Sequence, residues 1–186
     1  AEGVTVLELH DPPVDDSEIR FDLIPNRLDN LRSFQKKHPE FKELYCSAPT
    51  AFEGLCRVTR HVSGLWPHME YWPWPREIFT ERGDVLLDHI KQGETAGMCG
   101  GYAHTMEEIC WALGVPARRT QVYGHSSFEA YDHTYDKWVC LEADPECREG
   151  HWEDADGMPL SIGELIDIIQ RDEREPGFFE RTVRRV

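Results

Sequence analysis

No run of about 18 apolar residues occurs in this 186-residue chain, so the sequence offers no helix able to cross a bilayer. It also lacks a basic stripe. Twenty Lys and Arg stand against 35 Asp and Glu, a formal net charge of −15, which argues against nucleic acid as a partner. The acidity reads as a solvated surface, with a cationic substrate as the sharper alternative. No Cys-x-x-Cys pair is present among the six cysteines. Their number is even, yet a chain with 40% hydrophobic residues and six Trp builds its core without disulfide staples. No internal repeat is evident. There is no initiating Met and no signal-peptide pattern at the Ala-Glu-Gly opening. The expectation is a mature exported chain or a trimmed one, and the abrupt ends leave room for a larger assembly.

What is present fits one domain over residues 1–186. Residues 1–16 are acidic and contain proline, as an extended arm or first strand would. Residues 17–96 read as mainly helical: 17–44 broken near Pro25 and Pro39, then 52–65, then 84–91 with Val85, Leu86 and Ile90 inward. Between the last two lies 65–75, with three Trp and three Pro in eleven residues. That stretch is a loop carrying large rings. It either packs them under itself or offers Trp66, Trp72 and Trp74 as a groove rim for peptide or glycan.

Residues 97–145 carry the chemistry. Gly97-Met98-Cys99-Gly100-Gly101 is a tight turn, followed by Tyr102, Met106, Ile109 and Leu113 at helical spacing. Gly114 and Pro116 supply the stop. Cys99 therefore stands at a helix N-terminus, where unpaired N–H groups and the helix dipole favour the thiolate. The same N–H groups, Gly100 among them, suit an oxyanion. A buried structural cysteine is the plainer reading of this turn alone.

Strand-like runs follow at 117–124, 125–132 and 137–143. If the last two form a hairpin closed by 133–136, opposed positions sum to 269. Phe128 then faces Leu141 and Ala130 faces Val139 on an apolar side. The other side carries His125, Ser127, Glu129 and Tyr131 against Asp144, Glu142, Cys140 and Trp138. Asp144 lies across from His125 and Glu142 on the diagonal, so either carboxylate suits a base-orienting role. Helix followed by antiparallel strands predicts an α+β fold, one helix packed on a small sheet. Residues 146–186 read as a loop and a C-terminal helix, with Ser161 and Glu164 forming a capping box.

These residues carry a resemblance. Gly97 to Ala103, Ala112-Leu113-Gly114-Val115-Pro116-Ala117-Arg118, His125-x-x-x-Glu129, and Lys137-Trp138 ending in Glu142-Ala143-Asp144-Pro145 look like the transglutaminase-like superfamily. The segment 156–161 is similar to bacterial members. The resemblance implies a papain-like fold and a Cys-His-Asp triad, with Cys99 as nucleophile and His125 as base. It departs at the acid: Glu142 stands where members carry Asp, and Asp144-Pro145 comes two residues late. It also implies that Arg118 is a structural ion-pairing residue. Gln92, seven residues before Cys99, is the candidate oxyanion side chain. Glu129 reads as a local network partner and His104 as a packing histidine.

The function expected is a thiol-dependent amide or ester hydrolase or acyl transferase, working through an acyl-enzyme. Its substrate would be a peptide, protein or other amide-bearing molecule, possibly glycan-linked, with no cofactor. The alternative is a catalytically altered domain binding peptide or glycan through the Trp-rich groove. A zinc set of Cys140, Cys147 and His151 with Asp144 or Glu142 matches no compact ligand spacing, so no metal is expected.

Overall fold

The computed structural model describes residues 27–68, 83–93, 97–122, 124–147 and 150–186. The expected arm at 1–16 and the rings of Trp72 and Trp74 lie outside them. The first helices are α1 (Arg27–Lys37), α2 (Pro39–Cys46), α3 (Ala51–Ser63) and α4 (Gly83–Lys91). Proline separates α1 from α2 because it fits the first turn of a helix but not the interior of one. At α3 the Thr50 hydroxyl accepts the Glu53 N–H at 3.2 Å, an N-cap that ends the preceding turn.

Helix α5 (Cys99–Ala112) runs through the middle. Ten of its residues are buried, from Gly101 to Ala112, so it is covered on nearly every side. A helix without a polar face belongs inside a protein. Helices α1, α3 and α4 pack around it, and the sheet closes the remaining side. Gly114 takes φ +76° just past the helix, and the Val115 N–H reaches back to the Cys110 carbonyl at 2.8 Å. This left-handed cap ends α5 and turns the chain into the sheet.

The sheet contains β1 (Ala117–Val122), β2 (His125–Asp132), β3 (Lys137–Glu142), β4 (Gly150–Asp154) and β5 (Val183–Arg185), all antiparallel and in chain order. The β2–β3 pairing sets Phe128 opposite Leu141 and Ala130 opposite Val139. That is the register the apolar pattern predicts. The loop has its own chemistry: the Asp132 carboxylate accepts the N–H groups of Thr134 and Tyr135, and Asp136 takes φ +54°, which Asp tolerates. Phe128, Ala130, Val139 and Leu141 join the α5 core. The opposite face is covered by α6 (Ile162–Asp172) and α7 (Phe178–Thr182), with Cys140, Leu160, Ile162 and Leu165 as a second apolar cluster. The result is an α+β domain of seven helices and five strands among the described residues, with the sheet between two helical layers.

One expectation is corrected. Residues 146–186 are more than a loop and a helix, since they contribute β4, α7 and β5. β4 adds to β3, and β5 pairs with β4 from the far end of the chain. Gly150 permits this pairing: it takes φ +133°, and a Cβ there would fall 2.0 Å from the Val186 carbonyl oxygen.

Candidate active site

Cys99 is the first residue of α5, and its N-cap Met98 is extended and gives no side-chain cap. The positive end of the helix therefore faces the thiol without competition from a capping side chain. Gly97 makes this entry possible. A Cβ there would lie 2.9 Å from the Trp66 indole nitrogen, so the ring packs directly against the turn. His68 bridges to Gly97 as a single parallel pair, which brings this part of the Trp-bearing segment to the same turn.

His125 opens β2 and Glu142 ends β3. The diagonal across the hairpin brings them together. The His125 Nε2–H donates to Glu142 Oε2 at 2.6 Å, and the Glu142 carboxylate is buried, with 8% of its side chain exposed. Its other oxygen accepts the Asp144 N–H at 2.9 Å. With Nε2 committed to Glu142, Nδ1 is the nitrogen left to meet a thiol. The hydrogen bond to Glu142 raises the His125 pKa to about 9, helped by the Glu142 charge and by charge and hydrogen bonding from Cys99, against the effect of burial. Cys99 is thus near enough for its charge to act on the His125 ring. Nδ1 also lies 3.6 Å from the Cys147 sulfur.

Asp144 is elsewhere. β3 ends at Glu142, and the chain leaves the ladder for a 3-10 turn at Pro145–Cys147. The position across from His125 is lost with the ladder. The Asp144 carboxylate is fully buried and accepts the His68 Nδ1–H at 2.8 and 2.9 Å. Its link to His125 is indirect, through the backbone N–H that holds Glu142. Sequence reasoning missed His68. Its partner is 76 residues away, and only its place within the Trp- and Pro-rich run marked it.

The remaining candidates divide. Trp66 is 5% exposed and stacks on Tyr102 with centroids 4.3 Å apart, while the Tyr102 hydroxyl donates to its carbonyl at 2.7 Å. It is core rather than groove rim. Its indole N–H is buried without a hydrogen-bond partner among the described residues. Gly100 sits in the first turn of α5 with open space beside it, the Ser126 hydroxyl being 3.8 Å from where a Cβ would stand. Gln92 is exposed in the turn after α4, and among the described residues no hydrogen bond joins its side chain to Cys99 or His125. Glu129, 1% exposed, accepts from Arg118 at 2.8 Å and from the Ile162 N–H at 2.7 Å, tying β1, β2 and α6 together.

The zinc set considered from sequence is scattered. Cys140 meets the Ser127 hydroxyl, Cys147 meets His125, and His151 meets Cys56. This last contact resembles the site in outline: Cys56 sulfur lies 3.9 Å from His151 Nδ1, and His151 Nε2 donates to Glu153 at 2.9 Å. Chemistry separates the two clusters. Cys56 stands in the interior of α3, and burial pushes its thiol up to about 12. A thiol in that state is a poor nucleophile at neutral pH.

No protein-family model matches the chain, and no curated protein matches it. Among solved structures, it is similar to one described as a candidate cysteine protease from Cytophaga hutchinsonii, with 19% identity and a TM-score of 0.45. The likeness covers 66% of this chain and 43% of that one, so the chain spans less than half the length of that protein.

Proposed function

We propose that this chain is a thiol-dependent hydrolase or acyl transferase acting on amide or ester bonds, with a transglutaminase-like, papain-like core. The observation that carries the reading is one imidazole between two functional groups. His125 donates from Nε2 to buried Glu142 and lies near enough to Cys99, at the N-terminus of α5, for the Cys99 charge to act on it. An α+β layout with this helix against an antiparallel sheet is compatible with a papain-like fold.

In this reading the reactive form of the pair is thiolate and imidazolium. His125, with its pKa raised to about 9, holds the proton at neutral pH. The Cys99 sulfur attacks the carbonyl carbon and the carbonyl π pair moves to oxygen. N–H groups of the first turn of α5 are the donors proposed for that oxyanion. As the tetrahedral species collapses, the C–N or C–O bond breaks and His125 gives its proton to the leaving group. Water or an amine then attacks the thioester, its proton passing to His125, and Cys99 leaves as thiolate. Glu142 keeps the imidazole oriented and stabilises its charged form throughout. Asp144 acts at one remove, since its N–H anchors Glu142 and its carboxylate holds His68.

An activated ester such as p-nitrophenyl acetate tests the reading. The expected result is a burst of one equivalent of p-nitrophenol and an acetyl adduct on the Cys99 peptide by mass spectrometry. Release that is unchanged in Cys99→Ser would overturn it.

A further inference from the structure

Strand β1 is an edge of the sheet among the described residues, paired only with β2. The register decides which of its backbone groups are used. The Tyr131 N–H donates to the Pro116 carbonyl at 2.8 Å, and the alternation from there turns Arg118, Thr120 and Val122 toward β2. Ala117, Arg119 and Gln121 therefore point their N–H and C=O groups outward. Helix α5 caps part of that edge. The Trp111 Nε1–H donates to the Ala117 carbonyl at 3.0 Å, and the Arg119 N–H donates to Glu107 Oε1 at 3.1 Å. Covering an edge in this way protects it from unwanted strand pairing.

The cover stops short of Cys99. Two turns nearer its N-terminus, the face of α5 that carries Glu107 carries Gly100, which has no side chain to offer. A trough of about 260 Å³ lies there, lined by Gly100, Arg119, Thr120, Gln121 and Ser126. Beside it the Arg119 carbonyl and both the N–H and the carbonyl of Gln121 have no hydrogen-bond partner among the described residues. One donor and two acceptors in line are what an added strand of about three residues meets. From this arrangement we propose that the open end of the β1 edge, Arg119 to Gln121, docks an extended polypeptide as an added strand, so that the substrate class is a peptide or an unfolded protein segment. That the docked chain is a substrate rests on the proposed function; the docking itself does not. Gln121 N–H donates to a peptide carbonyl, and the Arg119 and Gln121 carbonyls accept peptide N–H groups. Gly100 directly follows Cys99, so a chain in the trough passes beside the candidate nucleophile. The open stretch is short, and Glu107 and Trp111 close the rest, which leaves little edge for the sheet of a second copy to join.

The test uses the full, reduced chain and a fluorescein-labelled pool of short acetylated peptides of randomised sequence. The parent should bind the pool by fluorescence anisotropy, and binding should slow hydrogen exchange at the Gln121 amide by about tenfold or more. A matching pool with an N-methylated backbone should bind at least about tenfold more weakly, the scale of hydrogen bonds left unmade. Gln121→Ala keeps the N–H and should bind as the parent does. Gln121→Pro removes that N–H, on the outer side of an edge strand where proline is tolerated, and should weaken binding by about tenfold or more. Matching urea curves for the two variants would show that the proline variant is folded. No binding by the parent, no protection of Gln121, or equal affinity in folded Gln121→Pro would overturn the docking edge. So would a dimer, seen by sedimentation without peptide, that already protects Gln121. Peptide docking in a chain with no acyl transfer from p-nitrophenyl acetate would leave the edge standing and remove the enzyme reading. Acyl transfer with no protection of Gln121 would do the reverse.

Discussion

Glu142 determines what His125 can do. A buried carboxylate 2.6 Å from Nε2 raises the His125 pKa to about 9 and leaves Nδ1 facing sulfur. Glu142→Gln removes the charge and keeps the shape. The expected results are a His125 pKa falling toward its ordinary value in an NMR titration and a loss of about 10²-fold or more in acyl-transfer rate. The pair also links folding to pH. Because the folded pKa lies above the unfolded value near 6.5, its stabilisation is fully present below about pH 6.5 and is lost as pH rises through about 9. Urea midpoints of the parent should therefore approach those of Glu142→Gln between these limits.

At the scale of elements, α6 covers the sheet face that bears His125. Its N-terminus is held by the Ser161–Glu164 capping box and by Glu129 on the Ile162 N–H. Ser161→Ala should cost about 1 kcal/mol in urea unfolding. Glu129→Gln should cost about 1–3 kcal/mol, because it weakens a buried acceptor serving two donors. The capping box was legible in the sequence because its spacing is local. So was the hairpin, because an apolar face on both strands and a four-residue turn allow only one register. β4 and β5 were not legible. Each is short and polar, and they pair across some thirty residues, with no alternation long enough to announce a strand. The acid at the site was half legible for a related reason. The register placed both carboxylates near His125, but where β3 would end was decided by the turn at Pro145–Cys147. The His68–Asp144 pair depends on tertiary closure alone.

For the whole molecule, α5 is both the axis of the core and the platform of the candidate nucleophile. Met106, with none of its surface exposed, lies within that axis. Met106→Ala should cost about 2–5 kcal/mol by leaving a cavity where sheet and helices meet. The layered fold also sorts the thiols. Burial pushes Cys56, Cys110 and Cys140 up to about 12, and burial with nearby carboxylates pushes Cys147 up to about 11. Cys99 is the thiol that combines a helix N-terminus with a charged imidazole. The most direct measurement is therefore the rate of iodoacetamide labelling at each cysteine against pH, read by peptide mass spectrometry in the parent and in His125→Ala. The prediction is selective labelling of Cys99 that persists below pH 7 in the parent and collapses in the variant. Labelling of Cys99 no faster than a free cysteine, with the same pH dependence in both proteins, would contradict the account.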